Sequence, residues 1–274
     1  MIGTTVSCRI CSGKDLKTGN LAKEPYKILE CSNCGVWFLD PQPETFSAAH
    51  HYDSNYYADW ENTQKARRTA LWKERLRGLI PYVRGKKLLD IGAGTGLFMS
   101  TAKNEGFEVH GTEISVDACK LAENAYGIKI FNGDLLKAGF EDNSFDVITI
   151  WHVLEHLTDP MATIREVYRI LKPGGIFLLA LPNLNNYFFR LMYPVVRRKK
   201  YLLFTPEDRE QHFFYFNGRA LRNMLELGKF NVLKIAPDLG QVSSGKRILD
   251  FMPYLFYAIS GIIFTDAIKA VARK

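Results

Sequence analysis

The chain has 274 residues, 47% of them apolar and 24% charged, which is enough material for one large globular domain or two modest ones. Its first five residues carry no basic and apolar signal pattern, so we exclude secretion and expect a cytoplasmic protein. The formal net charge of +7 suits an anionic partner, but part of it is concentrated in residues 197–200, and a basic balance alone does not predict nucleic-acid binding.

Four of the five cysteines form two Cys-x2-Cys pairs near the start of the chain, at Cys8, Cys11, Cys31 and Cys34. Without a secretion signal, disulfides are disfavoured and metal ligation explains this spacing better. Four thiolates complete the tetrahedral shell of Zn²⁺ and leave no position for water, so we predict a structural zinc ribbon over residues 1–40. A redox role is the alternative, which we disfavour because neither pair precedes a helix of a βαβ unit.

Residues 41–84 connect this ribbon to the rest of the chain. Residues 46–60 are rich in tyrosine and histidine, whereas residues 62–80 place apolar side chains at helical spacing among basic ones. Pro81 and Gly85 end the helical pattern. We therefore predict an aromatic linker followed by one helix.

From residue 86 onward, short apolar strands alternate with helices, which is typical of a parallel, doubly wound α/β sheet with helices on both faces. Glycine and proline mark several boundaries, as in the predicted turn over residues 172–175. We assign this domain to residues 85–240. The predicted strands are 88–91, 108–112, 128–131, 145–151 and 176–181, and the predicted helices are 97–103, 116–126 and 160–171.

The end of the first predicted strand carries Asp90 and a glycine-rich loop made of Gly92, Ala93, Gly94 and Gly96. Glycines let the backbone approach a ligand closely, and the N-terminus of the following helix offers free N–H groups. Such a loop also occurs in nicotinamide and flavin enzymes, so a nucleotide-dependent oxidoreductase is an alternative. Asp90 disfavours it, because a carboxylate there repels a pyrophosphate but suits the ammonium group of an amino-acid moiety.

Two further carboxylates follow the next two predicted strands. Glu113 ends the second strand about 20 residues after the loop, where a carboxylate can accept hydrogen bonds from both hydroxyls of a ribose. Asp134 follows the third strand, where it can accept a hydrogen bond from the amino group of adenine. Ligands of open α/β sheets lie beyond the carboxyl ends of the strands, so the three acids predict one shared site.

The motifs of this region, taken together, resemble those of the class I S-adenosylmethionine-dependent methyltransferases. The resemblance covers about residues 85–183 and implies a Rossmann-like sheet of seven strands with S-adenosylmethionine as cofactor. The matching stretches are LLDIGAGTGLF (88–98), VHGTEIS (109–115), NGDLL (132–136), FDVITIWHVLEHLTDP (145–160) and REVYRILKPGGIFLLALPN (165–183).

The resemblance implies a role for each of these motifs. Asp90 and the loop over residues 92–96 would surround the methionine part of the cofactor. Residues Glu155 and His156 and the turn at residues 173–175 look structural in this family. The remaining implied contacts are Glu113 with Ile114 at the ribose, Asp134 with Leu135 at adenine, and Trp151 with His152 at the methyl-transfer site.

The cysteine pairs extend the resemblance toward the N-terminus. The stretches CSNCGVWFLDPQP and HYDSNYYADW are similar to the N-terminal segment of bacterial methyltransferases that carry a CxxC–CxxC ribbon. Some of those relatives methylate carbon atoms of nucleotide-linked sugars. This chain departs from the best-defined sugar C-methyltransferases because it lacks their extra C-terminal domain.

Three residues are candidates for a base that deprotonates the methyl acceptor. Residues 206–235 resemble the family's His-x-x-x-Phe segment, helix and final strand, which would bring Gln211 and His212 toward the open mouth of the site. His152 at the end of the fourth strand and Tyr57 in the aromatic linker are the other two candidates. A structural role for His212, as a hydrogen-bonding partner of a loop, is the alternative.

Two apolar segments lie outside the methyltransferase motifs. Residues 183–212 are predicted to form an insertion that covers the acceptor site. Within it, residues 187–204 combine aromatic side chains with four consecutive cations, and contact with a membrane interface is the alternative for them. Residues 241–274 are predicted to form an apolar C-terminal tail. Within it, residues 251–265 are a run of 15 uncharged residues, shorter than the roughly 18–20 needed to span a bilayer. Packing on the domain, packing on a second copy in a homodimer, and peripheral attachment at the inner face of the membrane all stay open for this segment.

We predict a methyltransferase that acts on a small-molecule acceptor, such as a sugar or a lipid-linked or quinone-type compound, by C- or O-methylation. An RNA methyltransferase guided by the zinc ribbon is an alternative. Residues 1–40 disfavour it, because their five basic residues are offset by four acidic ones and leave no basic stripe. A non-catalytic, cofactor-binding partner protein is a further alternative.

Overall fold

The structure is a computed structural model that describes residues 6–43, 57, 64–238, 257 and 263–274, without the side chains of residues 187–189 and 191. The chain divides into two compact units. The first unit contains Met1–Pro43, Leu154–Met161 and Ala180–Ala270, and the second contains Glu44–Val153, Ala162–Leu179 and Val271–Lys274.

Strands and helices alternate through most of the described chain. The strands are β1 (Leu16–Gly19), β2 (Lys27–Cys31), β3 (Trp37–Asp40), β4 (Lys87–Ile91), β5 (Glu108–Glu113), β6 (Phe131–Asn132), β7 (Phe145–Trp151), β8 (Leu171–Pro182), β9 (Phe214–Tyr215), β10 (Asn231–Asp238) and β11 (Ala267–Arg273). The helices are α1 (Lys65–Leu79), α2 (Leu97–Asn104), α3 (Val116–Tyr126), α4 (Pro160–Ile170), α5 (Tyr187–Arg197) and α6 (Gly218–Leu227). Short 3₁₀ turns cover Ile80–Tyr82, Leu135–Lys137 and Leu154–His156.

The first unit contains a four-stranded sheet in the order β1-β2-β3-β9. The strands β1, β2 and β3 form an antiparallel meander, and β9 pairs with β3 through Trp37 and Phe38. Phe38 and Phe214 are fully buried and stack with their ring centroids 6.3 Å apart. Aromatic pairs across neighbouring strands stabilise a small sheet that has little core of its own.

The large sheet has seven strands in the order β10-β11-β8-β7-β4-β5-β6. The central strand β4 pairs in parallel with β5 and with β7, and β5 pairs in parallel with β6. Side chains of β4 and β7 are buried on both faces, with Leu88, Leu89, Val147 and Ile148 fully excluded from solvent. This confirms the predicted α/β, doubly wound sheet, because continuous apolar strands require cover on both faces.

The third strand of the predicted sheet is shorter than expected. We predicted residues 128–131, but β6 contains only Phe131 and Asn132, which pair with Thr112 and Glu113. Ile128 instead packs in a buried cluster with Ala93 and Met99. The apolar run was therefore a sign of burial rather than of strand pairing.

The C-terminus contains a strand that the sequence interpretation did not include. Strand β11 lies between β8 and β10, in a region that we had described as an apolar tail. The predicted turn at residues 172–175 falls within β8, because this part of β8 is bridged to the end of the chain. Gly174 N–H donates to Lys274 O (3.1 Å), and Lys274 N–H donates to Gly175 O (3.1 Å).

Among the described residues, no helix combines the length and the apolar character needed to cross a bilayer. The predicted apolar segment over residues 251–265 lies outside the described residues, apart from Tyr257 and residues 263–265.

Candidate cofactor site and cysteine cluster

The loop after β4 forms a cradle of backbone amides. Gly92, Gly94 and Gly96 have φ angles of 70°, 54° and 77°, a left-handed region that glycine adopts without strain. The N–H groups of Gly92 and Ala93 donate to Thr112 O at 2.9 and 3.0 Å, which anchors the loop to the end of β5. Helix α2 starts directly after Gly96, so its N-terminal amides point into the space beyond the strands.

Alanine at position 92 is expected to strain this cradle. Gly92 has a left-handed backbone, which a residue with a Cβ adopts only with strain. A Cβ on Gly92 would also lie 2.4 Å from Cγ2 of Val153. We expect Gly92→Ala to lower the free energy of unfolding by about 2–4 kcal/mol, the sum of backbone strain and overpacking. Urea denaturation measures this loss.

Gly106→Ala is the matched control, because Gly106 also has a positive φ, of 83°, but a Cβ there meets nothing within 4 Å. It should lose only the backbone component of about 1–2 kcal/mol. Adding Val153→Ala to Gly92→Ala should recover part of the difference. Equal losses in the two glycine variants would show that close packing against Val153 does not constrain the loop.

Asp90 is a buried carboxylate at the end of β4, with 1% of its surface exposed. Thr149 Oγ1 donates a hydrogen bond to Asp90 Oδ1 at 2.6 Å. Burial raises the pKa of Asp90 to about 8, and the charge of Glu113 adds to this, whereas the Thr149 hydrogen bond and Arg75 oppose it. A cation bound beside Asp90 would favour its ionised form, so the site suits a positively charged group.

Glu113 lies at the end of β5 and is 6% exposed. Its Oε2 accepts from the N–H of Gly94 at 2.8 Å, and its Oε1 accepts from the N–H of Ser115 at 2.9 Å. Burial raises the pKa of Glu113, while these backbone hydrogen bonds lower it. Each carboxylate oxygen has a second lone pair, so Glu113 can still accept hydrogen bonds from a ligand.

The end of β6 contributes the third acid. Asp134 caps the 3₁₀ turn Leu135–Lys137, with its Oδ1 accepting from the N–H of Leu136 at 2.8 Å. Leu135, the next residue, is buried, whereas Ile114, which follows Glu113, is exposed. Asn132 Nδ2 donates to the carbonyl oxygen of Glu113 at 3.0 Å, which ties the β6 end to the β5 end. The three predicted acids therefore follow three consecutive strands of the sheet, β4, β5 and β6.

Trp151, the last residue of β7, belongs to a buried aromatic cluster with Trp72 and Phe98, both with ring centroids 5.3 Å from its own. Its indole Nε1 is buried and has no hydrogen-bond partner within the described part of the chain. The next residue, His152, has a φ angle of 56°. A non-glycine residue in this region is strained, and such strain is concentrated at functional sites.

Arg75 is a residue that the sequence interpretation missed. It is 5% exposed, and its guanidinium lies over the rings of Trp72 and Trp151 at 4.6 and 4.4 Å. On α1 it shares one face with Trp72, Leu76 and Leu79, all buried, because residues three, four and seven apart align on a helix. The signal in the sequence that could have identified Arg75 is a basic residue at an apolar position of the helical pattern.

The three candidate bases do not all belong to the same unit. Tyr57 is 4% exposed, and its ring lies beside the glycine loop, with Cε1 3.7 Å from an ideal Cβ at Gly94. His152 is in the same unit, directly after β7. His212 belongs to the first unit, where its ring contacts His156 at 4.7 Å and Tyr215 at 6.2 Å between centroids.

The four paired cysteines converge in the first unit. None of the five cysteines, all of them described, forms a disulfide. The Sγ atoms of Cys8, Cys11, Cys31 and Cys34 all lie within 4.8 Å of one another. The Cys8–Cys34 and Cys11–Cys31 pairs are 3.5 Å apart, close to the edge of about 3.8 Å of a tetrahedron with Zn–S bonds of 2.3 Å.

Tight turns hold the thiols in this arrangement. The N–H of Ser12 donates to Cys8 O and the N–H of Gly35 donates to Cys31 O, each at 2.8 Å. The hydrogen bond from Cys34 lowers the pKa of Cys8 to about 5. Three of the four cysteines are buried and Cys11 is partly exposed. A cluster of four thiols, one of which ionises readily, has the donor set of a closed, structural zinc site.

The comparisons with known proteins agree with this geometry. A family model described as a methyltransferase domain matches residues 62–235. A demethylmenaquinone methyltransferase from Staphylococcus aureus is 27% identical over 196 residues, which cover 64% of this chain and 80% of that protein.

Two solved structures share the fold. An S-adenosylmethionine-dependent methyltransferase from Archaeoglobus fulgidus has a TM-score of 0.54 and 22% identity, covering 81% of this chain and 100% of that one. A second S-adenosylmethionine-dependent methyltransferase, from Mesorhizobium loti, has a TM-score of 0.53 and 22% identity, covering 74% of this chain and 98% of that one.

Proposed function

Since this chain belongs to the methyltransferase domain family, we propose that it methylates a small, quinone-type acceptor held at a membrane surface. The enzyme is an S-adenosylmethionine-dependent methyltransferase. The observation that carries the cofactor assignment is the alignment of Asp90, Glu113 and Asp134 at the ends of three successive strands, around a loop of backbone amides.

The residues of the second unit fit the parts of S-adenosylmethionine. In the proposal, Asp90 faces the ammonium group of the methionine part, and the loop over residues 92–96 lies along that part. Glu113, with Ile114, accepts hydrogen bonds from the ribose hydroxyls, and Asp134, with the backbone of Leu135, recognises adenine. A buried acid, a carboxylate with spare lone pairs and a loop without side chains are the donor set that this ligand requires.

The bound cofactor would supply an activated methyl group on a sulfonium. The protein's part is then to position the acceptor in line and, where the acceptor is a weak nucleophile, to remove its proton. Tyr57, beside Gly94, and His152, at the end of β7, are proposed as candidate bases in the unit that contains the three acids. His212 is kept as the third candidate.

Two observations support a quinone-type acceptor over a sugar. The relative from Staphylococcus aureus is named for methylation of demethylmenaquinone, a molecule with an apolar tail. Helix α5 presents Met192, Val195 and Val196 to solvent on one face, and the two valines are each 69% exposed. An exposed apolar stripe suits a protein that meets its substrate at a lipid surface.

The charge next to α5 supports an anionic lipid surface as the one that it meets. All four basic residues over 197–200 are exposed, directly after the apolar stripe. Each cation near an anionic membrane contributes about 1 kcal/mol of attraction, so together they favour the anionic inner leaflet. We therefore propose peripheral attachment through α5 and the basic residues that follow it.

This proposal predicts a difference between two forms of the acceptor. The double variant Val195→Asn/Val196→Asn should lower kcat/KM about tenfold for a demethylated naphthoquinone with a prenyl tail in anionic vesicles. The reason is that it removes two exposed apolar side chains that, in the proposal, enter the lipid surface. Its activity on a tail-less, water-soluble naphthoquinone should stay unchanged. Transfer of a labelled methyl group measures both.

Val116→Asn is the matched control, because Val116 is also an exposed valine on a helix, at 51%, but has no basic cluster beside it. It should behave as the wild type in both assays. Methyl transfer to a nucleotide sugar or to RNA, with none to either naphthoquinone, would overturn the acceptor proposal. Equal loss on both naphthoquinones would overturn the membrane contact.

For the cysteine cluster, we propose one structural Zn²⁺ held by Cys8, Cys11, Cys31 and Cys34. The convergence of four thiols on one point supports it, together with turns that orient the sulfurs. Four protein ligands leave no position for a substrate, so the ion stabilises the small sheet and takes no part in the reaction.

A further inference from the structure

The first unit contains a second cluster of metal-ligating side chains, formed by Glu155, His156 and His212. One ligand atom of each of the three lies within 4.8 Å of those of the other two. Glu155 and His156 belong to the 3₁₀ turn Leu154–His156, whereas His212 comes just before β9. The sequence interpretation treated the first two as structural and the third as a candidate base, and it did not place them together.

Backbone hydrogen bonds connect the two segments. The N–H of Phe213 donates to Glu155 O at 2.7 Å, which holds the segment of His212 against the 3₁₀ turn. The hydroxyl of Tyr215 lies 2.9 Å from the carbonyl oxygen of His212 and can donate to it. The positions of the three side chains are therefore set by the backbone around them.

The orientation of His156 leaves the lone pair of its Nε2 available to a cation. Its Nδ1 lies 2.9 Å from Gln211 O, and because a carbonyl oxygen can only accept, Nδ1 must be the donor. In the neutral ring the lone pair is then on Nε2, which lies 4.0 Å from Glu155 Oε1. Histidines that bind metals are typically oriented by this kind of hydrogen bond from the other ring nitrogen to a backbone carbonyl.

Burial makes a cation at this place favourable. The side chain of Glu155 is 2% exposed and that of His156 is 11% exposed. A positive charge placed between a buried carboxylate and an imidazole lone pair that face each other is attracted to both. A proton shared by the pair is one such charge, and a metal ion that also engages His212 is the other.

We propose that Glu155, His156 and His212 bind one divalent transition-metal ion. Two imidazoles and one carboxylate are a common donor set for Zn²⁺ and for Fe²⁺. Three protein ligands leave one or more positions for water or for an oxygen atom of a small molecule, unlike the four-cysteine site. Gln211, 7% exposed, adds a buried Oε1 that has no donor within the described residues and can accept from such a water. The inference does not depend on the methyl acceptor.

Co²⁺ is a suitable probe, because nitrogen and oxygen ligands give it a visible spectrum different from that of thiolate ligands. The full chain, with zinc already in the cysteine site, is titrated with Co²⁺ and followed by absorption and calorimetry. We expect one Co²⁺ per chain with a nitrogen and oxygen spectrum. His156→Gln and His212→Gln should each weaken its affinity at least tenfold.

His110→Gln is the matched control, because His110 also lies beside a carboxylate, with its Nε2 2.9 Å from Glu108 Oε1, but on the surface. It should bind Co²⁺ as the wild type does. If the variants do not fold, pulsed electron paramagnetic resonance of the wild-type chain with Mn²⁺ tests the same site. It should show coupling of the Mn²⁺ electron spin to two histidine nitrogens. No Co²⁺ beyond the cysteine site, or coupling to no nitrogen, would show that the pair shares a proton instead.

Discussion

Asp90→Asn should lose S-adenosylmethionine binding and gain stability at the same time. The substitution keeps the shape of the side chain but removes the charge that, in our account, faces the ammonium group of the cofactor. Loss of one member of a buried charge pair costs about 2–5 kcal/mol, so we expect the Kd to rise about 30-fold or more. Calorimetry with S-adenosylmethionine measures the change.

The gain in stability follows from the raised pKa of Asp90. Burial moves that pKa from 3.8 to about 8, so between about pH 4 and pH 8 the folded chain retains a proton that the unfolded chain has released. The contribution of this site to stability therefore falls as the pH rises through that window. Asp90→Asn removes the fall, so its free energy of unfolding should match the wild type near pH 4 and exceed it by at least about 1 kcal/mol at pH 8.

The same pKa predicts proton release on cofactor binding. Below pH 8 the free enzyme holds a proton on Asp90, and the ammonium group of the cofactor should expel it. Calorimetry at pH 7 in two buffers of different ionisation enthalpy should show close to one proton released by the wild type and none by Asp90→Asn.

Asp146→Asn is the matched control for these measurements. Asp146 lies near the start of β7, at the opposite end of the strand from the three acids. Its Oδ1 accepts a hydrogen bond from Lys172 Nζ at 2.8 Å. It should bind the cofactor as tightly as the wild type. Normal cofactor affinity in Asp90→Asn would contradict the role assigned to Asp90.

Removal of one ribbon cysteine should have the second large effect. In the proposed zinc site, Cys31→Ser would leave the ion with three thiolate ligands instead of four. Structural zinc sites contribute apparent binding energies of about 10–16 kcal/mol, so the module around β1, β2 and β3 should lose its metal and much of its order. Atomic absorption should find one zinc per wild-type chain and none in the variant. Limited proteolysis should then cut within residues 8–40.

Cys119→Ser is the control for the loss of a thiol alone. Cys119 lies on α3 in the second unit and contacts Asn132 rather than the other cysteines. Its zinc content and protease resistance should equal those of the wild type. Wild-type protein purified without zinc, or Cys31→Ser that retains a full equivalent, would contradict a structural zinc ribbon.

The parts of the site that follow strand ends could be predicted from the sequence. Asp90 and Glu113 lie at the ends of their strands and Asp134 lies two residues after the next one, and parallel strands bring their carboxyl ends to one edge. Arg75 could not be predicted in the same way, because a basic residue in a helix is usually solvated. Only the packing of Trp72 and Trp151 around it shows that it is buried.

Features that depend on contacts between distant parts of the chain could not be predicted from the sequence either. Strand β11 is rich in alanine, so its sequence lacks the β-branched run that marks a strand. It becomes a strand because it fills the place between β8 and β10. Likewise, Glu155 and His212 carry no shared motif, and only the pairing of their backbone segments brings them together.

Calorimetry of the wild-type chain with two cofactors tests the central claim most directly. Our account predicts that S-adenosylmethionine binds with one molecule per chain and micromolar or better affinity, and that NAD, titrated under the same conditions, gives no binding heat. Asp90, placed before a loop that would otherwise accept a pyrophosphate, is the reason for this preference. Tight binding of NAD with no binding of S-adenosylmethionine would contradict it.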